Sequence, residues 1–169
     1  MALKCLLLAN QLHFMKLKIK SKAPEFKLSD QDGKSHSLKD YKDKWVLLYF
    51  YPKDDTPGCT KEACMIRDNL PDFKKLKITV LGISADSVKS HKKFRDKYGL
   101  PFTLLADEKK GVIKKYGVWA KKKFMGKEYM GIMRTSFLIA PGGKIFKIYE
   151  NVKPEIHAEE VIRDFKNIK

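Results

Sequence analysis

The side chains best suited to covalent chemistry fall in one stretch, YFYPKDDTPGCTKEAC, residues 49–64, at the end of a strongly apolar run. Cys59 and Cys64 stand five residues apart, and Pro57-Gly58 turns the chain into a helix that starts near Cys59. A sulfur at that position meets the positive end of a helix. Unpaired backbone donors and the helix dipole there favour the thiolate, which is the nucleophilic form. Thr56, three residues earlier, can bring its hydroxyl near the sulfur and can also cap the helix. Pro52 adds a stiff wall without a donor, shielding the sulfur from bulk solvent. Two cysteines behind a Thr-Pro-Gly turn read as catalytic or metal-binding rather than as packing. A disulfide oxidoreductase would carry C-x2-C at the helix start, which is absent. Zinc is disfavoured because the two cysteines lack a second ligand pair, and His13, His36 and His157 have no local cysteine or carboxylate arrangement.

The rest of the chain must hold that stretch in place. Strand-like apolar runs occupy residues 45–51, 78–84, 102–106 and 136–140, the last returning across Gly142-Gly143 into 145–149. Between them lie helical stripes. Ala63, Ile66, Leu70 and Phe73 recur at spacings of three and four, with Pro71 expected to kink or restart that helix. Val88, His91, Phe94 and Tyr98 form a second stripe, on which His91 reads as a core histidine, packed or bonded to a partner. Pro154 suits the first turn of a C-terminal helix that buries Ala158, Val161, Ile162 and Phe165. Alternating strands and helices imply a largely parallel sheet covered by helices, and the late hairpin adds antiparallel strands. The expected fold is therefore α/β and thioredoxin-like, with a central mixed sheet flanked by helices. Trp45 and Trp119 read as packing residues, and the loop at residues 121–130 is a candidate border of the substrate entrance.

Pro52, Thr56 and Cys59 reproduce the P-x3-T-x2-C signature of the peroxiredoxins, and Cys64 adds the C-x4-C spacing of their bacterioferritin-comigratory or PrxQ subgroup. KAPEFKLSDQDGK, VLGISADSVKSHKKFRDKYGLPFTLLAD, YGVW and GIMRTSFLIAPGGKI resemble that subgroup too, covering the chain from about Ala23 onward. The resemblance implies that Cys59 is the peroxidatic cysteine and Cys64 the resolving one. It makes Thr56, Pro52 and Arg134 pocket residues. Arg134 precedes an apolar strand in a chain with only four arginines, which suits a pocket role. The implied activity is reduction of hydrogen peroxide and organic hydroperoxides. It proceeds through a sulfenic acid and an intramolecular Cys59–Cys64 disulfide, recycled by thioredoxin or a glutaredoxin-type dithiol, with no haem, metal or other cofactor. The chain departs from the pattern in a 14-residue N-terminal extension containing Cys5, and in Pro71.

Composition bounds what else the chain does. Of 169 residues, 36 are Lys or Arg and 20 are Asp or Glu, giving a formal charge of +16. Lysine supplies 36 − 4 = 32 of the cations, scattered along the chain with Lys121-Lys122-Lys123 as the longest run. Arginine, the residue of planar bidentate recognition, is scarce, so specific nucleic-acid binding is not expected. A noncatalytic basic binding or holdase module is the alternative from another class, along with a disulfide oxidoreductase. Hydrophobic residues make up 43%, enough for the core of one domain, and no apolar run is long enough for a membrane span. No membrane partner is expected, and the protein reads as a monomer or weak dimer. Three cysteines make no disulfide framework and no secretory signal is convincing, so a reducing cytosol is the expected compartment. Residues 1–14 read as a disordered extension, with residues 15–169 forming the single domain.

Overall fold

The computed structural model describes residues 16–168. The expected extension and Cys5 lie outside them. Nine strands and five helices follow in order: β1 (Lys27–Asp30), β2 (Ser35–Ser37), β3 (Trp45–Phe50), α1 (Pro57–Asp68), α2 (Leu70–Lys75), β4 (Ile78–Ser84), α3 (Val88–Tyr98) and β5 (Thr103–Ala106). Then come α4 (Gly111–Lys115), β6 (Trp119–Phe124), β7 (Lys127–Ile132), β8 (Thr135–Ile139), β9 (Ile145–Tyr149) and α5 (His157–Lys166). Seven strands form one mixed sheet in the order β2-β1-β5-β4-β3-β8-β9, while β6 and β7 pair only with each other. The strands β3, β4 and β5 run parallel, as the alternation of apolar runs and helical stripes requires. Around them, β8 and β1 attach antiparallel.

Strand β3 lies inside the sheet between β4 and β8 and is buried on both faces, which explains its unbroken apolar run. The strand period of two divides its side chains between two cores. Leu47, Tyr49 and Tyr51 join one core with α1, α2, α3 and α5, whereas Val46, Leu48 and Phe50 join another with α4. The sheet thus delivers the segment after β3 to an edge roofed by helices.

Pro71 restarts the helix rather than bending it. The first helix ends at Asp68, Asn69 leaves helical geometry at φ −96° and ψ 5°, and Pro71 sits in the first turn of α2. There its missing N–H removes no helical hydrogen bond. Pro154 behaves differently from expectation. It lies in a turn ahead of α5, which starts at His157. Residues 121–130 also differ, forming a hairpin instead of a loop.

Candidate active site

The connection from β3 to α1 is held by α3 and by Asp86 after β4. Asp54, buried, accepts from Tyr51 Oη at 2.7 Å and from Ser90 Oγ at 2.8 Å. His91, fully buried, places Nδ1 2.8 Å from the same carboxylate and Nε2 3.1 Å from the Leu105 carbonyl. The Asp54 backbone N–H donates to Asp86 Oδ2 at 2.9 Å. The histidine expected in the core therefore has a specific partner there. Asp55, with φ +54°, turns the chain toward α1, and its carboxylate accepts from Lys97 at 2.7 Å and from the Tyr98 hydroxyl. Thus α3 fixes the loop that carries Pro52 and Thr56.

Helix α1 starts at Pro57, with Thr56 as its N-cap and Cys59 in its first turn. The Thr56 hydroxyl does not cap the helix. It donates to the Lys53 carbonyl at 2.8 Å, so its proton is committed and its lone pairs remain available as acceptors. The first intrahelical bond runs from the Thr60 N–H to the Thr56 carbonyl at 2.8 Å. Pro57 has no N–H, and the Gly58 and Cys59 amides are the unpaired donors of the first turn. Cys59 is 2% exposed, Cys64 is partly exposed, and both are free thiols within one helix. Pro52 is half-buried in the connection that precedes them.

Arg134 reaches the site from the short link between β7 and β8. Its Nη2 lies 3.4 Å from Cys59 Sγ, and its Nη1 donates to Glu62. The guanidinium rests directly over Gly58, where a Cβ would stand 3.1 Å from Nη2 and 3.9 Å from Pro154 Cγ. Glycine at this position is what admits the arginine. Pro154 thus borders the site instead of opening a helix. Burial works against the Arg134 charge, but Glu62 and Cys59 more than offset it and raise its pKa.

Glu62 is the functional candidate that the cysteine-centred reading of the sequence passes over. It follows Cys59 by three residues, so both face the same side of α1 and both are buried. Burial pushes its carboxyl up to about 7, against the pull of Arg134. A glutamate on the buried face of an amphipathic helix is the available signal, because such a residue needs a cation to meet it. Beneath Arg134 lies His157, fully buried, with Nε2 2.8 Å from Ser136 Oγ. Burial first, and Arg134 second, lower its pKa to about 4. The result is a guanidinium that joins a sulfur to a buried carboxyl group, with open amides at the helix start.

The fold is thioredoxin-like, and the site sets a buried cysteine at a helix start beside a guanidinium. Residues 19–148 match the AhpC/TSA family. The putative peroxiredoxin bcp of Coxiella burnetii is 51% identical over 148 residues, covering 88% of this chain and 98% of the relative. Peroxiredoxin Bcp of Bacillus subtilis is 44% identical over 91% of this chain and 98% of its own. Among solved structures, a cysteine-to-serine mutant of Xylella fastidiosa PrxQ superposes with a TM-score of 0.85 at 36% identity, covering 90% and 97% of the two chains. The bacterioferritin comigratory protein of Xanthomonas campestris, described in terms of alkyl peroxide reduction, superposes at 0.80 with 36% identity over 85% and 91%. The chain belongs to the AhpC/TSA family and is a peroxiredoxin of the Bcp or PrxQ type, a thiol peroxidase.

Proposed function

We propose that Cys59 is the peroxidatic cysteine, Cys64 its resolving partner, and Arg134, Thr56 and Pro52 the residues that shape and polarise the peroxide pocket. The observation that carries this reading is Arg134 Nη2 at 3.4 Å from Cys59 Sγ, beside uncapped amides of the first helical turn. The Cys59 thiolate attacks one oxygen of the hydroperoxide, the O–O bond breaks, and the other oxygen leaves as hydroxide or alkoxide and takes up a proton. Arg134 and the Gly58 and Cys59 amides face the charge that develops on those oxygens, a preorganised form of stabilisation. The Thr56 hydroxyl, its proton held by Lys53, accepts from the peroxide O–H and so sets which oxygen the sulfur meets. Cys59 is left as a sulfenic acid. The Cys64 thiol displaces its hydroxyl, releasing water and forming a disulfide.

The disulfide requires α1 to open. Five residues of α-helix separate the two Cα atoms by about 8.7 Å with side chains diverging by about 140°. Bridged cysteines have Cα atoms within about 6.8 Å. The first turns of α1 must unwind, and the break at Asn69 confines the opening to the segment before α2. An external dithiol, of the thioredoxin or glutaredoxin kind, then reduces the bridge by exchange. The protein works in a reducing cytosol as a monomer or weak dimer. Among the described residues, no helix is long and apolar enough to cross a membrane.

A coupled assay with thioredoxin, its reductase and several peroxides tests the cycle. Turnover should vanish in Cys59→Ser, and Cys64→Ser should accumulate a sulfenic acid that overoxidises, detected by mass spectrometry. Hydrogen exchange should show lost protection at residues 59–68 in the disulfide form, with β3 still protected. Undiminished protection of α1 in protein proven to hold the bridge would refute the unwinding step.

A further inference from the structure

The hairpin of β6 and β7 is rooted in the second core by Ile132 and Trp119, while its far end is exposed. Its strands pair only with each other, and Arg134 follows two residues after it ends. Its turn is Met125-Gly126, with φ +48° and +77°. Both central residues at positive φ make this a turn that favours Asn-Gly, Asp-Gly or Gly-Gly. Methionine is an unfavourable choice there, because a long side chain gains nothing from the left-handed region and is strained by it. It is also 86% exposed, so no packing within the domain compensates for the strain.

The neighbours of Met125 are equally unusual. Phe124 is 67% exposed, Tyr129 46% and Met130 49%, and these four make up half of the eight large apolar residues exposed among those described. The cross-strand register sorts the ribbon by face. Phe124 and Tyr129 share one face with Lys122 and Lys127, whereas Met130 shares the other with Lys121, Lys123 and Glu128. Within residues 119–132, four lysines against Glu128 leave a charge of 4 − 1 = +3, on a molecule of +16. Lys121 is itself paired with Glu128 at 3.1 Å.

We propose that this hairpin docks the protein on an anionic lipid bilayer. Apolar side chains at a projecting tip enter the boundary between headgroups and acyl chains, and the lysines behind them meet the headgroup charge. This is the division of labour of amphipathic elements that lie in a membrane interface. Each lysine close to an anionic surface adds to such attraction, which falls off within a Debye length. A second copy of this chain is disfavoured as the occupant, since two surfaces of the same high positive charge repel. A two-residue turn carrying exposed Phe124 and Met125 also offers too little surface for a specific protein interface, which needs roughly 1,000 Å² or more. The inference revises the expectation, drawn from composition, that no membrane takes part. That expectation rested on the absence of a spanning segment and on the scatter of the lysines along the chain, whereas a surface-docking tip needs no spanning segment and only a local cluster of cations.

The test is sedimentation of the reduced protein with vesicles at about 0.15 M salt, a reading independent of peroxide turnover. Vesicles of phosphatidylglycerol mixed with phosphatidylcholine should carry the protein down, and pure phosphatidylcholine should not. The informative variant is Phe124→Ser with Met125→Asn. Asparagine suits the first position of this turn better than methionine, so the hairpin should keep its shape or gain stability. Affinity for the anionic vesicles should fall roughly tenfold or more, because two buried apolar side chains are removed. Melting temperature should hold, which separates lost docking from lost folding. Lys122→Gln with Lys127→Gln should also weaken binding and flatten its salt dependence. Failure to bind anionic vesicles overturns the proposal and leaves an acidic protein surface as the occupant of the tip. Binding undiminished in the Phe124 and Met125 variant also overturns it, reducing the attraction to diffuse lysine charge.

Discussion

Replacing Glu62 by Gln should alter the shape of the stability curve against pH as well as its height. Burial holds the Glu62 carboxyl at about 7 in the folded protein, whereas its ordinary value is 4.5. A folded-state value above the unfolded one means that the native protein binds the proton more tightly. The contribution of Glu62 to stability is therefore fully present below pH 4.5 and is lost as pH rises through 7. The gap of 7 − 4.5 = 2.5, at about 1.4 kcal/mol for each pH unit, amounts to about 3 kcal/mol. Glutamine has no proton to lose. The pull of Arg134 is already contained in the value of about 7, and exchanging the neutral carboxyl for an amide shifts the variant's stability by an amount that does not itself depend on pH. Relative to the parent, Glu62→Gln should thus gain about 3 kcal/mol between about pH 4.5 and 8. Urea unfolding of both fully reduced proteins across that range reads the difference directly, and other titrating groups common to both cancel. Two curves that stay parallel would refute the argument. They would mean that Glu62 keeps its charge throughout the range.

Arg134→Met should slow peroxide reduction roughly 100-fold while slowing alkylation of Cys59 by a neutral reagent far less, because only the peroxide reaction develops charge on departing oxygen. Equal losses in both would confine Arg134 to activating the sulfur. Gly58→Ala should push the guanidinium aside, since the new methyl lies 3.1 Å from Nη2. Turnover should fall while thermal stability holds or rises through better helix propensity, and full turnover would show that the arginine has room to shift. His157 is buried neutral, its value lowered from 6.5 to about 4, so its contribution is present above 6.5 and lost as pH falls through 4. His157→Gln should therefore flatten the acid side of the stability curve, measured by denaturant unfolding at several acidic pH values.

The elements that position the site were legible because their signals are local. The unbroken apolar run of β3 marks a strand buried on both faces, and the stripes in α1 and α3 carry a helical period. Pro71 announced the break between α1 and α2, although choosing a restart over a kink needed the geometry of Asn69. The hairpin was hidden because both its faces are wet. Three consecutive lysines erase the alternation that identifies a half-buried strand, and Met-Gly is not a usual signal for such a turn. Strands β1 and β2 are only four and three residues long and lie at a sheet edge, where little burial is imposed on their side chains. In the site, sequence pointed to Cys59 and Arg134 through a motif. Their partners Glu62, Gly58 and His157 come together only when α1, α5 and the link before β8 converge, a relation no local spacing encodes.

The attachment of the Asp54 loop to α3 has a kinetic consequence. In the proposed cycle the first turns of α1 open, and the moving half of the proposed pocket is Cys59 with its amides. Pro52 and Thr56 stay where Asp54, His91, Asp86 and Lys97 hold them. The pocket therefore never has to be rebuilt as a whole, and after reduction of the disulfide a short helix rewinds against a standing mould. Helix relaxation of that kind takes about a microsecond or less. Re-arming contributes no slow step on this account, and the pace of the cycle is left to the peroxide and to the encounter with the reducing thiol.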